Sequence, residues 1–203
     1  MTDCQKPPEE LATERGEKSV AILFVDIEGC TRLCEDLPPK EMNQLIERYF
    51  SSFFDIVEKT GGTINNIMGD GFMAIFEENE YRNNILRAAE AALNIQRQAR
   101  ELNTQGSGEY EQVLVNAGIH AGRAYVGITN FRTLAGGHRT STALGPVMNI
   151  AARLCDLATN GSIFVSAEVA ENLKGTGYFL QQRGPKKLKN VSQPVTVFKL
   201  EDK

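Results

Sequence analysis

Two aspartates stand where the chain changes direction: Asp26 closes the apolar run SVAILFV (residues 19–25), and Asp70 lies between two glycines in NNIMGDGFMAIF. Two carboxylates brought to one edge can hold a pair of magnesium ions across phosphate oxygens. Between Asp26 and the next helix comes Ile27 and then EGCT, that is Glu28, Gly29, Cys30 and Thr31. The backbone amides of such a turn can cradle a polyphosphate. Farther on, VMNIAARL carries Asn149 and Arg153, whose spacing of four places both on one helical face. Arginine offers a rigid fork of donors for phosphate oxygens, and asparagine can orient a ribose.

Each residue also has a plainer reading. Asp26 alone could equally cap a helix, and Asp70 alone reads first as turn chemistry. Arg153 could pair with a neighbouring acid such as Asp156 on a surface helix. The conjunction of the two aspartates favours a metal–nucleotide site.

The elements that would position these groups follow from pattern. Residues 19–26 form a buried strand. Between Lys40 and Thr60, Met42, Leu45, Ile46, Tyr49, Phe50, Phe53, Phe54 and Val57 recur at helical spacing, with Pro38-Pro39 before them and Gly61-Gly62 after. TINNIM and FMAIF flank Gly69-Asp70-Gly71 as a hairpin. A second helix is expected over Tyr81 to Leu102, then a loop, NTQGSGEYE. VLVNAGIH and RAYVGI read as two strands, NFRTLAGGHRTS as an irregular stretch, and Val147 to Leu157 as a helix. SIFVS, a short helix, GYFLQQR and PVTVFKL complete an α+β sandwich with a mainly antiparallel sheet.

With 203 residues, 41% hydrophobic and 24% charged, the chain suits one domain, residues 18–203, behind a polar tail over 1–17. A net charge of -4 argues against a general nucleic-acid surface. No apolar stretch approaches the roughly 18 residues of a membrane span, and no signal region opens the chain, so a cytoplasmic protein is expected. Cys4, Cys30, Cys34 and Cys155 make no CxxC pair and have only His120 and His138 for company, so reduced thiols are expected.

FVDIEGCTRL, NNIMGDGFMAIF, GIHAGRAYVG and TALGPVMNIAARL, in that order over about residues 18–200, resemble the successive motifs of class III nucleotidyl cyclase catalytic domains. The resemblance implies a ferredoxin-like α+β core that works as a head-to-tail homodimer with active sites between subunits. It implies two metal ions, Mg2+ or Mn2+, on Asp26, Asp70 and the carbonyl of Ile27. It makes Glu28, Gly29, Cys30 and Thr31 the phosphate cradle and Asn149 with Arg153 the transition-state pair, supplied by the opposite subunit. Lys189 occupies the place of a lysine that reaches the terminal phosphates, although Asn190 follows it where a glycine is usual.

Base selection departs from the family pattern. Asn66 stands where adenylate cyclases of this class carry a lysine, and Thr142 stands at the partner position, where threonine is an accepted variant. The glutamate and cysteine of guanylate cyclases are absent from these two positions, and Cys30 replaces a commoner aromatic. The resemblance therefore implies an adenylate cyclase forming 3′,5′-cyclic AMP and pyrophosphate from ATP. A cyclase for GTP or a pyrimidine triphosphate, or a nucleotide-binding regulatory module without turnover, stand as alternatives. No GGDEF-like stretch suggests a diguanylate cyclase. No sensor domain fits the length, so control is expected from the tail, a partner or a larger parent chain.

Overall fold

The structure, a computed structural model, describes residues 16–77, 80–105, 112–133 and 136–202. Cys4 and most of the expected tail and of the NTQGSGEYE loop lie outside the described residues. The first strand, β1 (Gly16–Ile27), starts earlier than the apolar run suggests and takes in Gly16 and Glu17. Val20, Ala21, Ile22 and Leu23 are fully buried because β1 is central and covered on both faces. That explains why its sequence is continuously apolar rather than alternating.

Two helices follow, α1 (Cys30–Asp36) and α2 (Pro39–Lys59), then the hairpin β2 (Thr63–Met68) and β3 (Gly71–Phe76) and the long α3 (Tyr81–Gln105). Helix α2 buries Met42, Leu45, Tyr49, Phe50, Phe53 and Val57, as its period requires. Phe50 and Phe54 meet Phe72 of β3 edge-on, with ring centroids 5.4 and 5.1 Å apart.

The next segment corrects two expectations. VLVNAGIH from Val115 onward and RAYVGI belong to one strand, β4 (Val115–Thr133), and the stretch expected to be irregular contributes to its end and to the next strand, β5 (Gly136–Leu144). The two pair antiparallel from Tyr125 opposite Leu144 to Thr133 opposite Gly136. Ladder bonds come from the backbone, so this ribbon needs no alternating apolar side chains, and its glycines and polar residues hide it.

The chain ends with α4 (Pro146–Leu157), β6 (Ile163–Ser166), α5 (Ala167–Asn172), β7 (Phe179–Lys186) and β8 (Val195–Glu201). The sheet runs β2-β3-β1-β4-β6-β8-β7, with β5 added alongside β4. All pairings are antiparallel except β4 with β6, so the α+β, mainly antiparallel reading holds. Helices α2 and α3 cover one face over a core that includes Leu23, Phe53, Phe76 and Ile95. Helix α4 packs on the other, where Val147 and Ala151 meet Val20, Ile22, Met73 and Ile75. Among the described residues no helix is long and apolar enough to cross a membrane.

Candidate active site

The antiparallel pairing of β1 with β3 sets Asp26 opposite Gly71, one residue from Asp70. Ile27 N then donates to Asp70 O at 3.0 Å, which ties the end of β1 to the hairpin turn. Gly69 reaches the left-handed region with φ 65, as a tight turn there requires. Gly71 is needed for closeness: a Cβ on it would lie 2.8 Å from Val25 O and 3.1 Å from Asp26 Oδ1. The two aspartates therefore meet at one end of the β1–β3 pair, although they are remote in sequence.

Every influence on the Asp26 carboxyl disfavours its charge. Burial first, then Asp70, Asp156 and Glu28, raise it from the usual 3.8 to about 6. Such a pair of hard oxygen donors suits Mg2+ or Mn2+ and would be relieved by a cation. Among the described residues no group of three or more His, Cys, Asp or Glu side chains gathers to cage a metal. Two carboxylates alone leave most of a cation's coordination to a backbone carbonyl, water or substrate oxygens, an open site that fits a metal bound together with phosphate.

The turn after β1 is more committed than its sequence suggests. The Ile27 amide goes to Asp70 O, and the Glu28 amide goes to Leu114 O at 2.9 Å. Of the Ile27–Thr31 amides, those of Gly29, Cys30 and Thr31 remain at the start of α1, where first-turn amides have no intrahelical acceptor. Gly29 bends the chain into that helix with φ 73. The Cys30 thiol is buried, and burial, then the charge of Asp70, then Cys34 push it up to about 12. It packs as a neutral small side chain beside Asp70, and Cys30, Cys34 and Cys155 are free thiols.

Helix α4 is pressed onto β4 at Gly118, where a Cβ would fall 2.2 Å from Cys155 N and 2.3 Å from Ala151 O. A residue with a side chain at that position would lift the helix off the sheet. Asn149 is exposed and Arg153 half-buried on this helix. Arg153 Nη1 donates to Asp156 Oδ2 at 2.5 Å within the chain, as the plainer sequence reading allows. Beneath α4, Leu154 packs on Leu188 and Val197. That contact brings the neighbouring Lys189, which is exposed, close to α4. Asn190 adopts φ 61, so asparagine supplies the left-handed turn that a glycine would otherwise make.

Asn66 is exposed in β2, opposite Met73, just after a bulge that displaces Asn65 from the ladder. Thr142 lies in β5 opposite Gly127, and β2 approaches β5. The strands carrying these two residues are thus neighbours at one side of the sheet. Gly71 is legible in the sequence as a turn residue but its close approach to Asp26 is not, and neither are the helix contact at Gly118, marked only by the glycines of GIHAG, and the buried Asn116.

A family model described as the adenylate and guanylate cyclase catalytic domain matches residues 13–202. Among solved structures, the adenylyl cyclase CyaB from P. aeruginosa superposes with a TM-score of 0.85 at 26% identity, covering 94% of this chain and 97% of that one. The guanylyl cyclase Cya2 superposes at 0.82 with 27% identity, covering 93% and 94%. The uncharacterized protein Rv1320c of Mycobacterium tuberculosis is 32% identical over 144 residues, 70% of this chain and 23% of that protein. The chain thus matches about a quarter of the length of that relative. With its motifs, its fold and the family match in agreement, the chain belongs to the class III adenylate and guanylate cyclase catalytic domains.

Proposed function

We propose that this cyclase domain converts ATP to 3′,5′-cyclic AMP and pyrophosphate with two Mg2+ or Mn2+ ions, at sites shared between the subunits of a homodimer. The observation that carries the reading is the β1–β3 register, which sets Asp26 beside the Asp70–Gly71 turn. Asp26, Asp70 and the Ile27 carbonyl hold the metals. When bound, the ions supply the Lewis-acid charge that eases ionisation of the ribose 3′-hydroxyl and offsets the phosphate charge.

The chain's own groups do the rest. The amides of Gly29, Cys30 and Thr31 hold phosphate oxygens, and Lys189 reaches the terminal ones. Asn149 orients the ribose, and Arg153 takes up charge that develops on the α-phosphate as its bond to the leaving pyrophosphate breaks. Arg153 must leave Asp156 to do so. That pair is partly exposed, with side chains 35% and 59% accessible, and such pairs contribute only about 0–1 kcal/mol. The charge gathering on the α-phosphate and the leaving pyrophosphate outcompetes it.

Asn66 and Thr142 face the base. A carboxamide carries both a donor and an acceptor and can meet the N6 amino group and N1 of adenine. The second reading, GTP or a pyrimidine triphosphate, draws on the same Asn66, since the amide also complements other base edges, and on the likeness to both an adenylyl and a guanylyl cyclase. A nucleotide-binding module without turnover is disfavoured by the retention of both aspartates, Asn149 and Arg153. Purified protein incubated with ATP, GTP, CTP and UTP, each with Mg2+ or Mn2+, decides among these once the cyclic product is identified. A cyclic product from GTP alone would overturn the ATP assignment, and none from any triphosphate would overturn turnover itself.

A further inference from the structure

Glu28 follows the Asp26–Ile27 pair, and its side chain is engaged on the far side of the turn. Its Oε2 accepts from Asn116 Nδ2 and from Gly161 N, each at 3.2 Å. Asn116 is buried and stands opposite Asp26 in the β1–β4 ladder. Its Oδ1 accepts from Ser162 N at 3.1 Å, and its carbonyl takes the Cys155 thiol of α4 at 3.7 Å. Asn160 and Gly161, both left-handed with φ 54 and 62, shape the loop that leaves α4. One carboxylate and one carboxamide thus join the turn after β1, the strand β4 and the loop that leaves the helix carrying Arg153.

A carboxylate is an expensive choice for a simple brace. Its partners Asn116 Nδ2 and Gly161 N are neutral N–H groups, and its charge adds to those that disfavour ionised Asp26. Burying polar groups this close together is tolerated only when their bonds are satisfied, as they are here.

We propose that Glu28 and Asn116 are positioning residues that hold the Asp26–Thr31 turn and the loop leaving α4 in one rigid relation. The inference rests on the cyclase reading, in which a drift of a fraction of an ångström between phosphate-binding groups costs rate. In a shared-site dimer the clamp joins the metal half of one site to the loop leaving the helix that serves the other.

The test compares Glu28→Ala, Asn116→Ala, their double variant and Glu28→Gln, each well below its unfolding temperature. Two readouts are taken: steady-state kinetics with whichever triphosphate the wild type cyclises, and amide hydrogen exchange over residues 27–33 and 155–162. Glu28→Ala should lower kcat about 10- to 100-fold, as loss of a group that orients metal ligands does. KM should stay within about threefold. Glu28→Gln should recover most of the loss, because its amide oxygen can still accept both bonds. The double alanine variant should be little worse than either single one, since both break the same clamp. Exchange should rise in both segments together in the alanine variants and not in Glu28→Gln. Unchanged kcat in folded Glu28→Ala, a glutamine variant as impaired as the alanine one, or exchange that rises in one segment only would overturn the clamp. A wild type silent with every triphosphate would instead sink the cyclase reading, and the exchange measurement would still decide the clamp.

Discussion

Gly71 lies so close to Asp26 that a single methyl on it would stand 3.1 Å from the Asp26 Oδ1 and 2.8 Å from the Val25 carbonyl. The approach lets the β1–β3 ladder run to its end, where Asp26 and Asp70 meet. Gly71→Ala should therefore cost about 1–3 kcal/mol by overpacking, and should lower turnover more than Gly16→Ala, where a Cβ meets nothing within 4 Å. Urea unfolding and turnover of the two variants side by side check this; equal behaviour would show that the close approach is dispensable.

Removing either carboxylate should abolish cyclisation and leave the fold intact. Asp26→Asn should even stabilise the metal-free protein at neutral pH, because burial and Asp70 both disfavour the charged carboxyl it replaces. Mn2+ with a non-cyclisable nucleotide at about 100 times its Kd should stabilise the wild type by about 2.7 kcal/mol. Neither asparagine variant should show that shift in its melting curve. A full shift in Asp70→Asn would remove Asp70 from the metal site.

Complementation tests the shared site. Asp70→Asn damages the metal side, and Arg153→Ala damages the transition-state side, the latter by about 10²–10³ in rate. A mixed dimer should carry one doubly broken site and one intact site. Combining the two inactive proteins under exchange conditions should restore activity toward half that of wild type per mixed dimer. A mixture that stays inactive, although mixed dimers are demonstrated, points to a site within one chain.

Asn66→Lys should raise the preference for ATP over the other triphosphates by restoring the donor that adenylate cyclases of this class carry. The measurement is the ratio of kcat/KM values, which a general loss of stability does not move. Ratios that stay fixed would mean that the base is read elsewhere.

His120 supplies a pH dependence away from the active site. Ser166 Oγ caps α5 by accepting from Val169 N and lies 2.7 Å from His120 Nδ1, so its proton is free for that nitrogen. Burial lowers the imidazole from the usual 6.5 to about 4, against a smaller opposite pull from Glu168. Between those values the unfolded chain binds the extra proton, so stability is full above about 6.5 and falls as pH drops toward about 4. The difference is on the order of 3 kcal/mol. His120→Gln should flatten that slope in urea unfolding measured across the range; an unchanged slope would assign it to other groups.

The candidate site residues were readable because they are local. SVAILFV ending on Asp26, Gly-Asp-Gly around Asp70 and the four-residue step from Asn149 to Arg153 each lie within one element, where side-chain period or turn chemistry dictates placement. The faces of α2 were readable for the same reason. The ribbon of β4 and β5 was not, since backbone bonds hold it and its composition resembles a loop. Nor could the sequence show that the Glu28 amide is spent on Leu114 and its carboxylate on Asn116 and Gly161, or that Gly118 admits α4 against the sheet. Those facts depend on strand order and on helix-to-sheet distance, which arise only when segments remote along the chain are packed together. Residue type and spacing thus determined the candidate groups, and tertiary packing decided which of their atoms remain open to a ligand.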